Sequence, residues 1–272
     1  MDILIEKLDG SRYYLSQYKV LITDFEESAP SVTRNSKQLD QRNGNIDFGG
    51  WHTDKTINIT GYYRADDIDE EETLREKLYA LLSDPNGYYI TQLKTTPSMA
   101  MERPGETSGG YYDKLSNYPS HKRFLVYTEA PEMELVGNVN GALLYKLTAE
   151  FKTMKLPYGE TPPADIDVSS NVPYQGTVPC NQLEQGFTVQ LTANGSASSL
   201  SFKIDDTEMT SSNAVAAGDV FLLNGFSYTQ NGLSIVSKTN KAYFILQPDK
   251  PNRITCNVPG TFRILGFQNL YA

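Results

Sequence analysis

Two segments of the chain alternate apolar and polar residues with a period of two. The first surrounds Ile57 and Ile59, and the second spans Ala142–Met154. Alternation places the apolar side chains on one face of a strand and the polar ones on the other. We therefore predict a half-buried strand at each segment, the second being a long strand that closes an N-terminal domain.

Between these two segments the apolar period changes to that of a helix. Four leucines fall on one helical stripe: Leu74, Leu78, Leu81 and Leu82. Asp67 followed by Glu70 is typical of a helix N-cap, and Pro85 with Gly87 ends the pattern. The spacing predicts one helix over about 69–83, and its single apolar stripe predicts that it packs on the sheet.

The apolar pattern also divides the chain. Residues 156–170 contain three prolines and several small polar residues without periodicity, which is typical of a linker. From Val172 onward, short alternating runs are separated by Gly, Asn and Ser, which indicates an antiparallel sandwich or jelly roll. We predict a mainly β protein with two domains: a β-sandwich-like domain at 1–155 with one packed helix, and a C-terminal antiparallel β-sandwich at 171–272.

One long irregular segment interrupts the predicted first domain. Residues 95–122 contain three prolines and three glycines and show no period. A loop of this length inside a compact domain is usually functional or mobile. We therefore expect the segment to be a functional or mobile loop.

Charge narrows the classes of partner. The formal net charge is −9, whereas proteins that read nucleic-acid sequence concentrate basic residues on one face.

The sequence contains no apolar run of the roughly 18 residues that a membrane-spanning helix requires. Its first ten residues include Asp2 and Glu6, where a signal peptide carries positive charge. We expect a soluble protein that is not secreted by that route, has no membrane insertion and binds no specific nucleic-acid sequence.

Residues able to support catalysis are sparse. The two histidines are His52 and His121, and the nucleophile-elbow, phosphate-loop and dinucleotide motifs are missing from the sequence. The two cysteines, Cys180 and Cys256, do not have the spacing of a metal-binding pair. We expect Cys256 to be a small buried apolar residue, and a cross-link to Cys180 is the alternative. Asp205 and Asp206 read as a turn. We predict no enzyme activity, no cofactor and no metal site.

Aromatic residues offer candidates for contacts with a partner. Trp51 follows Gly49 and Gly50 and precedes His52. It fits either a core or sheet-edge anchor, or an exposed ring that stacks on a sugar or on a side chain of a partner. The 18 tyrosines include adjacent pairs such as Tyr62 and Tyr63. Adjacent residues of a strand face opposite ways, and surface tyrosine is enriched in interfaces, which favours a role in assembly.

The order of these motifs resembles the distal tail proteins (Dit) of long, non-contractile-tailed bacteriophages over nearly the full chain. In the first domain the resemblance rests on "QLDQRNGNIDFGG", "TINITGYY" and the helix ending in "LLSDPNGYYI". In the second it rests on "AAGDVFLLNG", "TQNGLSIV" and "AYFILQPDKPNRITCNV". Asp249, Lys250 and Pro251 depart from the family, which more often has Pro-Gly before Asn252.

The resemblance implies a hexameric ring at the virion tail tip, formed by the first domains around a channel through which the genome passes. It implies second domains of galectin-like fold that project outward. The implied partners are further copies of the chain, the major tail tube protein, the tail-tip fibre or baseplate protein, and a receptor-binding or adapter protein on the second domain. Synthesis would occur in the cytoplasm of the bacterial host.

The stretch from Arg42 to Asp84 is expected to shape contacts between subunits. The interface candidates within it are Asn43, Gly44, Trp51, Tyr62 and Tyr63. The alternative function is a host-surface carbohydrate-binding module carried by the C-terminal sandwich. Because the single Trp lies outside that domain, the sequence favours assembly over carbohydrate recognition.

Overall fold

The computed structural model of the protein describes residues 1–41, 43–94 and 119–272. Most of the predicted loop at 95–122 lies outside the described residues, as does Arg42. The chain forms two compact units, Met1–Gly159 and Glu160–Ala272. The elements of the first unit are β1 (Asp2–Lys7), β2 (Arg12–Tyr14), a 3-10 turn (Leu15–Tyr18), β3 (Val20–Glu27), β4 (Val32–Gln38), β5 (Asn45–His52), β6 (Thr56–Ala65), α1 (Ile68–Leu82), β7 (Tyr88–Leu93), β8 (Phe124–Thr128), β9 (Glu132–Val139) and β10 (Ala142–Thr153).

One antiparallel sheet organises the first unit. Seven strands run in the order β2-β1-β7-β8-β10-β6-β3, and β9 also pairs with β10. The long strand β10 pairs along one side with β6, from Leu143 opposite Ala65 to Lys152 opposite Thr56. Its other side pairs with β9 near its start and with β8 near its end. Strands β4 and β5 pair only with each other among the described residues.

Helix α1 packs its apolar stripe into the core of the first unit. Leu74, Leu78, Leu81 and Leu82 are buried with the inward side chains of the sheet. The side chain of Asp67 caps the helix by accepting a hydrogen bond from the backbone N–H of Glu70, at 2.7 Å. At the other end, the ammonium of Lys7 donates to the carbonyl oxygen of Leu81, at 2.7 Å. The cap stabilises the start of the helix, and the contact from Lys7 ties its end to β1.

The second unit consists of short strands. Its elements, beginning with the strand that straddles the boundary, are β11 (Gly159–Glu160), β12 (Ala164–Val168), β13 (Cys180–Asn181), α2 (Gln182–Gln185), β14 (Thr188–Ala193), β15 (Leu200–Ile204), β16 (Thr207–Ser211), β17 (Val220–Leu223), β18 (Tyr228–Gln230), β19 (Leu233–Ser234), a 3-10 turn (Val236–Lys238), β20 (Ile245–Leu246), β21 (Ile254–Cys256), β22 (Gly260–Phe267) and β23 (Leu270–Tyr271). A six-stranded sheet has the order β12-β22-β14-β17-β18-β19, and a three-stranded sheet has the order β16-β15-β21.

Buried aromatic rings and one buried amide fill the core of the second unit. Phe202 and Phe244 meet edge to face, with ring centroids 5.5 Å apart. The fully buried side chain of Gln182 donates to the carbonyl oxygens of Phe187 and Leu223 and accepts from the backbone N–H of Phe244. A buried amide with all these partners costs little, because its polar atoms keep hydrogen bonds that they would otherwise lose with water.

The cysteines of the second unit lie on different strands, β13 and β21, and both are free thiols. Burial raises the pKa of Cys180 to about 12. The thiolate, which is the reactive form, is therefore scarce at neutral pH. Cys256 is only partly buried.

The structure corrects the predicted linker. Residues 156–170 include β12, which pairs with β22 and places Ile166 opposite Ile264. The prolines at 162 and 163 precede this strand, and only Ile166 and Val168 alternate with Asp165 and Asp167. Two apolar positions are too few to reveal a strand by its period. Because β12 lies at the edge of its sheet, the side chains that alternate with them can remain polar.

The predicted mainly β fold class is confirmed, with several antiparallel sheets and α1 packed on the first of them. Among the described residues, no helix is both long and apolar enough to cross a bilayer.

Candidate functional site

Strands β4 and β5 pair to form what we call the arm, residues 32–41 and 43–52. Every residue of β4 is exposed, and so is all of β5 except the partly buried Ile46. A two-stranded hairpin in water is only marginally stable on its own. The arm therefore leaves its outer backbone edges and nearly all of its side chains exposed among the described residues.

A β-bulge gives the arm one apolar face. Arg34 lies opposite Gly50 and Ser36 lies opposite Asp47, so Phe48 and Gly49 together oppose the single residue between Arg34 and Ser36. Gly49 has a φ of +97°, a conformation that glycine adopts without a steric penalty. The extra residue shifts the alternation of side chains along β5.

This shift determines which side chains share a face. Without the bulge, Phe48 and Trp51 would point to opposite sides of the hairpin. With it, the register puts Ile46, Phe48 and Trp51 on one face, beside Thr33 and Lys37 of β4. Phe48 is 61% exposed and Trp51 is 54% exposed. The arm thus carries an apolar face that nothing covers among the described residues.

The opposite face of the arm is polar except for Val32, which lies opposite His52 at the base. Arg34 and Asp47 form an ion pair on it, and Asp47 also accepts a hydrogen bond from the backbone N–H of Gly49. The Arg34 guanidinium lowers the pKa of the Asp47 carboxyl below its ordinary value, with a further contribution from Gly49. Asn45 and Gln38 lie opposite each other on the same face. The two faces make the arm amphipathic.

Backbone contacts close the base of the arm, and one side-chain contact ties it to the rest of the first unit. The backbone N–H of Ser31 donates to the carbonyl oxygen of Asp54, at 2.8 Å, and that of Thr53 donates to the carbonyl oxygen of Ser31, at 3.0 Å. His52 Nδ1 lies 2.8 Å from the hydroxyl group of Tyr158. The arm therefore leaves the body from a fixed position.

A charged cluster lies beneath this base. The ammonium of Lys55, whose side chain is 1% exposed, pairs with Glu27, and Lys122 Nζ lies 2.6 Å from the same carboxylate oxygen. Both ammonium groups lie over the ring of Phe124, at 5.5 and 5.3 Å from its centroid. The cluster links β3, the start of β6 and the start of β8.

Burial and pairing shift the titration of this cluster. Burial lowers the pKa of Lys55 below its ordinary value, because it disfavours the charged form, although Glu27 acts against it. Burial raises the pKa of Glu27, but hydrogen bonds from Lys122 and Lys55 outweigh it, so the net shift is downward. Glu27 is therefore a carboxylate at neutral pH and holds two cations.

The candidates predicted from the sequence are in different environments. Asn43 and Gly44 are exposed at the tip of the arm, and Trp51 is exposed on its apolar face, so Trp51 is not a core anchor. Tyr62 is partly buried on β6. Tyr63 is 1% exposed, and its hydroxyl group donates to Glu71 Oε1 at 3.1 Å. Tyr63 therefore belongs to the core and offers no surface to a partner.

Two features of this unit are not evident from the sequence pattern. The first is the place of Phe48 on the face of Trp51, which only the bulge creates; the Gly49–Gly50 pair was its signal. The second is the exposure of apolar side chains on β9: Leu135, Val136 and Val139 are each about half exposed. A bulge at the Leu144/Tyr145 step of β10 leaves Val136 as the extra residue of β9.

The candidate catalytic residues do not converge. His52 lies at the base of the arm, and His121 precedes β8. Asp205 and Asp206 form the turn between β15 and β16 in the second unit, where Asp206 pairs with Lys250 at 3.0 Å. Across residues 1–41, 43–94 and 119–272, no group of three His, Cys, Asp or Glu side chains is arranged to hold a metal ion.

Comparison with known structures identifies the fold. The chain is similar to the SPP1 Dit protein (gp 19.1), described as a paradigm of the hub adsorption apparatus in phages that infect Gram-positive hosts; the match has a TM-score of 0.65, 13% identity and 99% coverage of each chain. It also matches chains of the phage P2 baseplate in its activated conformation with Ca and with Sr, each with a TM-score of 0.41, 9% identity, and 98% coverage of this chain against 97% of the other.

Comparison by sequence gives the family. No curated protein sequence matches the chain. The sequence model of the phage tail protein RIFT-related domain matches residues 8–175, which is more than half of the chain. The match, together with the Dit fold, confirms the resemblance to the distal tail proteins of siphophages. The chain belongs to the family of phage tail proteins with a RIFT-related domain, and is a structural component of a virion tail.

Proposed function

We propose that this protein is the tail-tip hub of a siphophage: a hexameric ring that joins the tail tube to the tail-tip fibre or baseplate and lets DNA pass through its channel. The arm is the observation that carries this proposal. Its two strands leave their outer edges unpaired among the described residues, and its apolar face exposes Phe48 and Trp51. Apolar surface of this kind on an isolated chain marks a contact with another protein.

The assignment of roles follows the two units. The first domain, predicted at 1–155, forms the ring through copies of the same chain, with Asn43, Gly44 and Trp51 of the arm at the contact. The major tail tube protein and the tail-tip fibre protein bind opposite sides of this ring. The second domain, predicted at 171–272, carries a receptor-binding or adapter protein. The protein is made in the host cytoplasm and has no catalytic role.

The acidic character of the chain suits a passage for DNA. With a net charge of −9, the surface repels phosphate and does not hold it. A channel that bound DNA tightly would slow its transfer. The charge therefore supports a conduit and opposes a clamp.

Measurement of molar mass in solution tests the ring directly. Light scattering on the purified full chain, over a range of concentrations, is expected to give a mass of six chains. A mass of one chain at every concentration, unchanged when the tube and fibre proteins are added, contradicts the proposal. The molar mass of the Trp51→Ala variant is compared with that of the unmodified chain. This change removes an exposed side chain of the arm and leaves the core intact.

A carbohydrate-binding role of the second unit is the alternative. Phe226 is 70% exposed, and Tyr243 nearby is 39% exposed. A Cβ atom built on Gly225 would lie 3.2 Å from Tyr243 Cβ, so the segments that carry Phe226 and Tyr243 are close together. Exposed aromatic rings can stack on sugars. Calorimetric titration of the full chain with host cell-wall saccharides, repeated on Phe226→Ala, distinguishes this role: no heat of binding to any saccharide eliminates it.

A further inference from the structure

Asparagine followed by glycine occurs six times in the chain, and the structure sets one of these pairs apart. The pairs begin at Asn43, Asn86, Asn140, Asn194, Asn224 and Asn231. Asparagine is chemically labile, because the backbone nitrogen that follows it can attack the amide carbon of its side chain. The attack requires a free side chain and a free backbone N–H, and a glycine in the second position offers the least steric resistance.

Two of the pairs hold the asparagine side chain in hydrogen bonds. The Oδ1 atom of Asn224 accepts from two backbone N–H groups of its own turn. The side chain of Asn231 accepts from the backbone N–H of Val220, at 2.9 Å, and donates to Asp219, at 2.8 Å. A side chain that keeps these bonds cannot turn toward the backbone nitrogen of the next residue.

Three other pairs restrict the backbone nitrogen of the glycine. Gly87 is buried, and its N–H donates to a backbone carbonyl oxygen at 3.1 Å. The N–H of Gly141 donates to Asn138 Oδ1, at 3.0 Å. Gly195 packs against Pro259, since a Cβ atom built on it would lie 2.9 Å from Pro259 Cγ. In these pairs the attacking nitrogen is hydrogen-bonded or crowded.

The remaining pair lies at the tip of the arm, after β4 ends at Gln38 and before β5 begins at Asn45. Asn43 and Gly44 are both exposed, and among the described residues neither takes part in a hydrogen bond. A Cβ atom built on Gly44 would meet no heavy atom within 4 Å. The side chain of Asn43 is therefore free to turn toward the backbone nitrogen of Gly44, and nothing crowds that nitrogen.

We propose that Asn43 is a site of spontaneous deamidation, which changes the tip of the arm from neutral to anionic in the single chain. The backbone nitrogen of Gly44 attacks the side-chain amide carbon of Asn43, and the new carbon–nitrogen bond closes a cyclic imide. The side-chain nitrogen leaves as ammonia, with the proton that the Gly44 nitrogen loses. Water then adds to one of the two imide carbonyl carbons and opens the ring, which leaves an aspartyl or an isoaspartyl residue at position 43. Water is the only co-reactant.

The reaction alters the arm in two ways. Either product places a carboxylate at a position that was neutral, and a change of charge alters which surfaces the tip can meet. The isoaspartyl product also lengthens the backbone by one methylene group, within the turn that sets the register of β4 and β5. The chemistry itself does not depend on the proposed ring.

Peptide mapping by mass spectrometry after incubation in mildly alkaline buffer tests the proposal. The sample is the full chain, diluted until light scattering gives the mass of one chain. If assemblies persist at every dilution, the variant Phe48→Asp with Trp51→Asp supplies the single chain, because it changes the apolar face and leaves the tip unaltered. The peptide that contains Asn43 is expected to gain the mass of deamidation about fivefold faster than the others or more, which is the factor that one net hydrogen bond supplies.

Two variants at exposed positions of the arm check the site. Asn43→Gln keeps an amide but lengthens the side chain, so the ring that would close is larger and forms more slowly. This variant is expected to leave the peptide unmodified over the same period. Asn45→Gln, just beyond the pair, is the matched control and is expected to leave the reaction of Asn43 unchanged.

Incubation in concentrated urea separates the effect of the fold from that of the local sequence. The hydrogen bonds that protect the other pairs are lost in urea, so the six rates are expected to lie close together. The proposal is overturned if the peptide of Asn43 keeps its mass in the folded single chain. It is also overturned if another pair reacts first there, or if the six rates in urea differ as they do in the folded chain.

Discussion

The hydroxyl group of Tyr63 donates a hydrogen bond to the carboxylate of Glu71 inside the core of the first unit, over 3.1 Å. Tyr63 lies on β6 and Glu71 on α1, where its side chain is 4% exposed and pairs with Arg75. The bond joins the helix to the sheet beneath it. A tyrosine that sequence reasoning assigned to an interface is therefore an internal link between two elements.

Replacement of Tyr63 tests this link. Tyr63→Phe keeps the ring that stacks on Tyr145 but removes the hydroxyl group that donates to a buried carboxylate. The free energy of unfolding is expected to fall by about 1–3 kcal/mol. Tyr62→Phe, on the opposite face of the same strand, is expected to change it by less than about 0.5 kcal/mol. Equal effects of the two changes in urea denaturation would show that the bond to Glu71 is unimportant.

Alkaline pH should destabilise the first unit through its buried tyrosines. Burial raises the pKa of Tyr88, and burial with the nearby Glu71 raises the pKa of Tyr63. Both groups keep their protons in the folded state at a pH where the unfolded chain releases them. Their contribution to the free energy of unfolding is complete below the ordinary tyrosine pKa of about 10 and is lost as the pH rises above that value.

Urea midpoints measured between about pH 8 and pH 11 check this sign. The urea midpoint is expected to fall less steeply with pH in the double variant Tyr63→Phe/Tyr88→Phe than in the unmodified chain. A decline of the same slope in both would mean that other groups cause it.

The apolar stripe of α1 gives a prediction about the core. Leu78 is fully buried, and Leu78→Ala is expected to cost about 2–5 kcal/mol. Leu78→Asp also buries an unpaired charge and is expected to unfold the unit. Lys77→Ala, on the exposed side, is expected to stay within about 0.5 kcal/mol. Thermal melting of Leu78→Asp that matches the unmodified protein would mean that the stripe is not buried.

The cluster beneath the arm predicts an order of effects. Glu27→Gln leaves Lys55 and Lys122 without their shared carboxylate. Removal of one partner from a fully buried ion pair costs about 3–5 kcal/mol, and because the Glu27 side chain is 23% exposed the expected loss lies below that range. Lys55→Met leaves Glu27 paired with Lys122 and places an apolar side chain against Phe124, so it is expected to cost less. Denaturation of both variants checks the order, and a larger loss in Lys55→Met would refute the account of this cluster.

Local patterns predicted the helix and the long strands because each has enough repeats to establish a period. The leucine stripe of α1 covers two turns, and β10 alternates from Tyr145 to Lys152. Strand β12 escaped prediction because it has two apolar positions behind two prolines. The face of Phe48 escaped because a single bulged residue reverses the alternation, and strand period alone cannot locate the reversal.

The environment of Tyr63 was unpredictable for a related reason. Two adjacent tyrosines on a strand must face opposite ways, but nothing in the sequence tells which one points inward. The buried acceptor, Glu71, lies among the acidic residues at the start of α1, whose side chains otherwise point to solvent. Only the packing of the helix on β6 selects Glu71 and Tyr63 from their neighbours.

Images of single particles test the central claim most directly. Negative-stain class averages of the purified full chain, viewed down the particle axis, are expected to show six equal subunits around a central hole. Averages that show single compact chains without a hole, at the concentrations where light scattering is measured, would contradict the account of this protein as a ring-forming hub.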